Sequence, residues 1–327
     1  MILRNIYFGP ALGASGVQGF YGNPSYPEYK HSRIIKMIWG DIFKNMDFVA
    51  KTATVDFNKG NVRLDLGGFA FKKFLPDAIY PMPLKGAALN AVGLSNPGFK
   101  SLLLRGIWQQ RTQPFMLSFM PIRKTRDERI AETREFVSLL KKHLPKFMAK
   151  FALQVNISCP NTGHSQKELT GEASQILDIL GELEIPLVPK INAVLLPQIA
   201  HEIMEHKYCD ALCFSNSIPY GEFPKEIKWS KYSIHDKSPL VFRGYTSGGL
   251  SGAPIFPVVE KWLTRFSMLN THTKPIIAGG GVMSKDNVRV LCGFPNVKAI
   301  SIGTVAFIKP WAVKGIIKEC YKSLMTS

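Results

Sequence analysis

The sequence predicts an α/β fold, a (β/α)8 TIM barrel formed as one domain over residues 1–327. Three observations carry that expectation. Short apolar runs rich in β-formers alternate with helical patterns, and repeated strand-then-helix order implies a parallel sheet. Eight such runs are present, which favours closure into a barrel over an open sheet. Polar residues or glycines stand at seven of the eight strand ends, where a barrel gathers its functional groups. A chain of 327 residues is within the range of one such unit, and 46% hydrophobic residues suit a large core.

The first strand, Pro10 to Ala14, runs into Ala14-Ser15-Gly16-Val17. The second, Phe48 to Ala53, carries Lys51-Thr52. The third spans Phe115 to Phe119 and leads to a helix over Asp127 to Met148. The fourth, Ala152 to Ile157, opens into Asn156-Ile157-Ser158-Cys159-Pro160-Asn161-Thr162, and a helix over Glu172 to Leu183 follows. The fifth, Leu187 to Ile191, carries Lys190 and is followed by a helix over Leu195 to His206. The sixth, Ala211 to Ser215, ends at Ser215-Asn216-Ser217. A helix over Ile255 to Leu269 precedes the seventh strand, Pro275 to Ala278, which ends in Gly279-Gly280-Gly281. A helix over Lys285 to Leu291 leads to the eighth, Ala299 to Ile302, which ends in Gly303-Thr304, and a helix over Trp311 to Leu324 completes the pattern. The stretches 56–99 and 217–251 lack a helix–strand rhythm, and 21–47 is extended. Long loops in a compact barrel are usually active-site loops.

The net charge is +17. That balance suits an anionic partner, but the charges are scattered. Between Arg123 and Lys150, Asp127, Glu128, Glu132 and Glu135 interleave with Lys and Arg, the pattern of an exposed amphipathic helix and not of a nucleic-acid arm. A solvated basic surface is the preferred reading, and nucleic acid is not an expected partner. The five cysteines fit neither a disulfide framework nor a zinc site. Cys209 and Cys213 flank an apolar run and read as core thiols in a reducing compartment. No apolar h-region follows Met1-Ile2-Leu3-Arg4-Asn5, and no stretch reaches membrane-span length, so a cytoplasmic protein without a membrane partner is expected.

Gly248-Gly249, Gly280-Gly281 and Gly303-Thr304 lie before, on and after the last two strands. Barrels commonly hold a phosphate there, and glycine lets the backbone approach an anion closely. One such pair alone reads as a tight turn. Three in this order read as a phosphate cradle. Lys51 and Lys190 each sit inside an apolar strand pattern. A strand-end lysine can snorkel to solvent, but a lysine is rarely buried without a partner. At a barrel mouth such a cation can face the N1/C2 edge of a flavin and stabilise the reduced ring. Asparagine offers both donor and acceptor, so the cluster from Asn156 to Asn161 suits a flat ring of alternating N–H and C=O groups, such as a pyrimidine. A lone cysteine is ordinarily an inert hydrophobe. In this polar loop Cys159 reads instead as a proton acceptor.

Asn156-Ile157-Ser158-Cys159-Pro160-Asn161 resembles the signature of dihydroorotate dehydrogenases with a cysteine base. Asn90-Ala91-Val92-Gly93-Leu94-Ser95-Asn96-Pro97-Gly98 resembles that family's substrate loop. Gly248-Gly249-Leu250-Ser251-Gly252, Gly280-Gly281-Val282 and Ile302-Gly303-Thr304 are similar to its FMN-phosphate segments, and Ala14-Ser15-Gly16 and Lys51-Thr52 match its first two strand ends. The resemblance runs through essentially the whole chain in order. It implies an FMN-dependent oxidoreductase of pyrimidine biosynthesis that converts dihydroorotate to orotate. In that reading Cys159 removes the C5 proton and a hydride passes from C6 to flavin N5. Lys51, Asn90, Asn156, Asn161, Asn216 and Ser217 hold the pyrimidine and its carboxylate. Ala14, Ser15, Gly16, Lys51, Thr52, Asn156, Lys190 and the glycine segments Gly248, Gly249, Gly280, Gly281, Gly303 and Thr304 hold the cofactor. No metal is expected.

Cysteine at position 159 implies the class 1, soluble branch, as does a first strand that starts too early for the N-terminal quinone-tunnel helices of class 2. The loop around Asn90 and the segment Phe307 to Pro310 look closest to the NAD-linked subgroup, which works with a separate iron–sulfur flavoprotein subunit. The implied protein partners are that electron-transfer subunit and a second copy of the chain in a homodimer. Departures from the family cluster beside the substrate loop: the segment from Lys51 to Asn90 is longer, and its proline-rich part appears as Gly60-Asn61-Val62-Arg63. The alternative is another FMN barrel, a tRNA dihydrouridine synthase or a pyrimidine reductase of the dihydropyrimidine dehydrogenase type. The former shares an Asn-x-x-Cys-Pro loop, but Asn161 and the Asn216-Ser217 pair suit a small pyrimidine acid, and the pattern ends with the last barrel helix. A degenerate scaffold barrel would have no need of Lys51, Cys159 and Lys190.

Overall fold

The computed structural model of the chain describes residues 1–22, 30–65, 72–73, 75–157, 166–269 and 274–325. Seven strands lie side by side in the order Ala11–Gly13, Val297–Ile302, Ile276–Gly279, Leu212–Phe214, Leu187–Ile191, Phe151–Asn156 and Phe115–Phe119. Every neighbouring pair is parallel. The extended segment 47–53 closes the cylinder, with parallel bridges to Leu12 on one side and to Met116 and Phe119 on the other. Asp47 N donates to Ala11 O at 2.9 Å, and Met116 N donates to Phe48 O at 3.0 Å. The predicted second strand is therefore present as a broken ladder. Its N–H groups are diverted midway: Lys51 N donates to Gly19 O at 2.7 Å, and Thr52 N to Ser15 Oγ at 2.9 Å. Both acceptors belong to the loop after the first strand, so the same break that interrupts the ladder anchors that loop.

Alternation along the strands decides what fills the barrel. Leu12, Val49, Met116, Ala152, Val188, Cys213, Ile277 and Ala299 form an apolar plug, one residue from each of the eight strand positions. A hairpin of Ile2–Leu3 and Ile6–Tyr7 caps the bottom with Leu3, Ile6 and Phe8. Two residues further along the third, fourth and fifth strands the inward positions become Ser118, Gln154 and Lys190, all buried. The interior thus turns from apolar to polar within one step toward the C-terminal mouth, where barrel sites are built.

The predicted helices are present with shifted ends: Arg126–Lys141, Gln166–Gly181, Pro197–Glu205, Phe256–Ser267, Lys285–Cys292 and Pro310–Met325. The first of these begins at a capping box between Thr125 and Glu128 and buries Phe136, Val137 and Leu140. It does not reach Met148, because Pro145 cannot continue the ladder and a 3-10 turn over Leu144–Lys146 replaces the last part. Cys209 and Cys213 are buried, as the apolar run between them requires.

The stretches without visible rhythm hold structure of their own. Helices over Lys30–Trp39 and Gly98–Leu104 follow the first two strand positions. Ile79–Met82, Ala87–Asn90, Gly249–Gly252 and Ile218–Pro219 form a four-stranded antiparallel sheet that ties residues 56–99 to 217–251. Strands of two to four residues are too short to show a period, and the pairing that joins the two stretches, Gly249 opposite Asn90, spans about 160 positions. No helix among the described residues is long and apolar enough to cross a membrane.

Candidate active site

Hydroxyl groups organise the polar layer at the barrel mouth. Ser15 Oγ donates to Ala50 O at 2.9 Å and lies 2.8 Å from Thr52 Oγ1. Thr52 Oγ1 lies 2.8 Å from Ser118 Oγ and accepts from Asn156 Nδ2 at 2.9 Å. A hydroxyl has one proton and two lone pairs, so only one direction satisfies the set. With the Ser15 proton on Ala50 O, Thr52 donates to Ser15 and accepts from Ser118 and Asn156. The chain of bonds crosses four strand positions and fixes which way the Asn156 amide points. Among the described residues Asn156 Oδ1 is left buried without a partner, and so is Gln154 Oε1, two residues back on the same face.

Lys51 is 9% exposed, donates through Nζ to Ser95 O, and lies 4.5 Å over the Phe20 ring. Ser95 belongs to the loop after the strand Ala87–Asn90, and Asn96 holds that loop. Asn96 Oδ1 accepts from Gly98 N at 2.9 Å, and its Nδ2 donates to Leu94 O at 2.6 Å. Gly60-Asn61-Val62 braces the same loop. Asn61 Nδ2 donates to Ala91 O at 2.7 Å, and Val62 N donates to Ser95 Oγ at 2.9 Å. These residues therefore support the backbone that receives Lys51.

Asn90 ends its strand opposite Gly249, with Nδ2 3.4 Å from Gly249 O. Asn216 N donates to Ile191 O at 3.0 Å, and Asn216 Oδ1 accepts from Ser217 N at 3.0 Å. Ser217 backs on Gly249, where an added Cβ would meet its Oγ at 2.6 Å. Ala14 N donates to Ile302 O at 2.8 Å, which joins the first and eighth strand ends beside Gly303 and Gly16. Thr304 opens the short helix Val305–Ile308. Gly280 and Gly281 take φ of 93° and 81°, and a Cβ on Gly281 would lie 2.8 Å from Phe256 N. No other residue type fits there without moving the backbone. Cys159 and Asn161 lie outside the described residues.

Lys190 is 6% exposed, in register with Asn156 on one side and Cys213 on the other. Burial pushes its pKa down, while burial pushes the Cys213 thiol up to about 11 and keeps it neutral. A buried lysine and two carbonyl acceptors without a partner among the described residues fit a planar ring with N–H donors. The flavin ring of FMN meets both requirements. Gln154 and Asn96 were absent from the sequence-derived site. Gln154 carries a signal nonetheless, since a polar residue two positions before Asn156 must share its face.

The family model described as dihydroorotate dehydrogenase matches residues 81–324. The catalytic subunit of the NAD+-linked dihydroorotate dehydrogenase B of Geobacillus sp. (strain WCH70) is 27% identical over 241 residues, covering 72% of this chain and 69% of that one. The fumarate-linked dihydroorotate dehydrogenase A of Lactobacillus helveticus (strain DPC 4571) is 24% identical over 263 residues, covering 78% of this chain and 80% of the relative. The crystal structure of DHODH in complex with ferulenol from Eimeria tenella superposes with a TM-score of 0.66 at 15% identity, over 100% of this chain and 84% of that one. That likeness establishes the barrel fold.

Proposed function

The chain belongs to the dihydroorotate dehydrogenase family, and from that premise we propose how its residues divide the work of oxidising dihydroorotate to orotate. The protein is an FMN-dependent oxidoreductase of the CH–CH type, and the reaction belongs to pyrimidine biosynthesis. Membership displaces the dihydrouridine synthase reading. Bound FMN supplies the hydride acceptor. Lys51, Asn90, Asn156, Asn161, Asn216 and Ser217 hold the pyrimidine ring and its carboxylate, and Cys159 takes the C5 proton. Ser15 and Thr52 orient Asn156, and Ala14 and Gly16 shape the adjoining loop. Lys190 faces the flavin. Gly248, Gly249, Gly280, Gly281, Gly303 and Thr304 receive the ribityl phosphate. The observation that carries this assignment is the Asn156 amide, which the hydroxyl network turns so that a buried carbonyl awaits a donor beside the buried Lys190.

The whole of residues 1–327 acts as one FMN-binding domain in this reading. Its electrons leave through a separate electron-transfer subunit, supported by relatives named as catalytic subunits of the NAD+-linked enzyme. The working unit is a homodimer in the cytoplasm. Cofactor content tests the reading. Protein purified, or reconstituted with FMN and desalted, is expected to be yellow with one FMN released per chain on denaturation. Protein that stays colourless after reconstitution would refute the cofactor assignment and the roles built on it.

A further inference from the structure

Gln154 occupies a position that the reaction outlined above does not use. Alternation along Phe151–Asn156 puts Ala152, Gln154 and Asn156 on the interior face. Ala152 belongs to the apolar plug and Asn156 to the hydroxyl network, with Gln154 between them. Gln154 is 3% exposed, and among the described residues its Oε1 has no hydrogen-bond partner. Buried amide oxygens in that state are rare and call for an explanation.

The fifth strand supplies one. Asn156 is in register with Lys190 and Gln154 with Val188, so Lys190 is the diagonal neighbour of Gln154 on the interior face. Cys213 lies in register with Lys190 from the other side. Both flanks of the lysine are therefore groups that carry no charge near neutrality. Among the described residues no carboxylate forms an ion pair with it. We propose that Gln154 is a positioning residue that leaves the charge of Lys190 uncompensated by protein anions, so that this cation acts on bound FMN and raises its reduction potential. A neutral amide beside the ammonium leaves its charge uncancelled, whereas a carboxylate at the same place would form a buried ion pair. A cation beside the ring favours the reduced, more negative flavin. The proposal rests on the FMN reading given above.

The test is the midpoint potential of FMN in wild type, Gln154→Glu, Gln154→Met and Lys190→Met, each reconstituted and desalted. Gln154→Glu and Lys190→Met are each expected to shift the reduction equilibrium at least tenfold toward oxidised flavin, about 30 mV for a two-electron couple. Neutral Gln154→Met stays within about threefold of wild type. Gln154→Glu added to Lys190→Met changes the equilibrium by less than threefold, because a buried carboxyl with no cation beside it stays protonated and adds no charge. An unshifted Gln154→Glu, or a Gln154→Met shift as large as that of Gln154→Glu, overturns the proposal. If Gln154→Glu does not fold, Cys213→Asp places the carboxylate on the other flank and carries the same expectation and the same refutation. A wild-type chain that binds no FMN overturns the cofactor reading as well. FMN bound with an unshifted potential in Gln154→Glu overturns this inference alone.

Discussion

Cys159→Ala is expected to keep its FMN and to lose rapid reduction of that flavin by dihydroorotate, with the rate falling about 10²–10⁴-fold, the usual contribution of a positioned general base. Removal of the C5 proton needs an acceptor next to the ring, and among the described residues no carboxylate or imidazole belongs to the polar network that surrounds Asn156. In the wild-type protein the same rate should rise with pH as the thiol titrates, since only the thiolate accepts a proton, and an unperturbed thiol titrates near about 8.5. The variant should lose that dependence. Anaerobic stopped-flow absorbance reads both effects. A variant reduced at the wild-type rate, or a wild-type profile flat across the thiol range, would remove Cys159 from the mechanism.

The second large effect concerns Lys51. Its ammonium is held by Ser95 O and the Phe20 ring, so it is buried and aimed before any ligand arrives. Pairing with the orotate carboxylate then requires little reordering of the side chain. Removing one member of a buried, hydrogen-bonded charge pair typically costs about 2–5 kcal/mol, which corresponds to a loss of about 30-fold to several thousand-fold in affinity. Lys51→Met should therefore weaken orotate binding to the FMN-loaded protein by at least about two orders of magnitude, read from the perturbation of the flavin spectrum. Flavin content is measured alongside, so that lost cofactor is distinguished from lost orotate binding. Orotate bound by Lys51→Met with wild-type affinity would place the carboxylate elsewhere.

The barrel was legible because buried parallel strands appear as short apolar runs at regular intervals, and because Lys51, Asn156 and Lys190 interrupt those runs where the interior turns polar. The segment 47–53 was legible by composition, although its ladder is broken. Its diverted N–H groups bond to Ser15 and Gly19, a relation no local pattern records. The four-stranded sheet over 79–90 and 218–252 was not legible, since its strands are too short for a period and its central pairing joins distant segments. For the same reason Asn61 gave no sign of supporting the loop after Asn90. Gln154 was within reach. Two-residue periodicity puts it on the face of Asn156, and a glutamine facing a barrel interior is a polar group in need of a partner. The roles of Cys159 and Asn161 rest on their place in the Asn156–Asn161 motif.

Anaerobic mixing of the FMN-loaded protein with dihydroorotate tests the central claim most directly. Loss of the oxidised flavin absorbance near ~450 nm within seconds, with one orotate formed per flavin, is the predicted result. Flavin that stays oxidised with dihydroorotate yet bleaches with dithionite would contradict it, because the barrel and its cofactor would be intact while the proposed substrate was not oxidised.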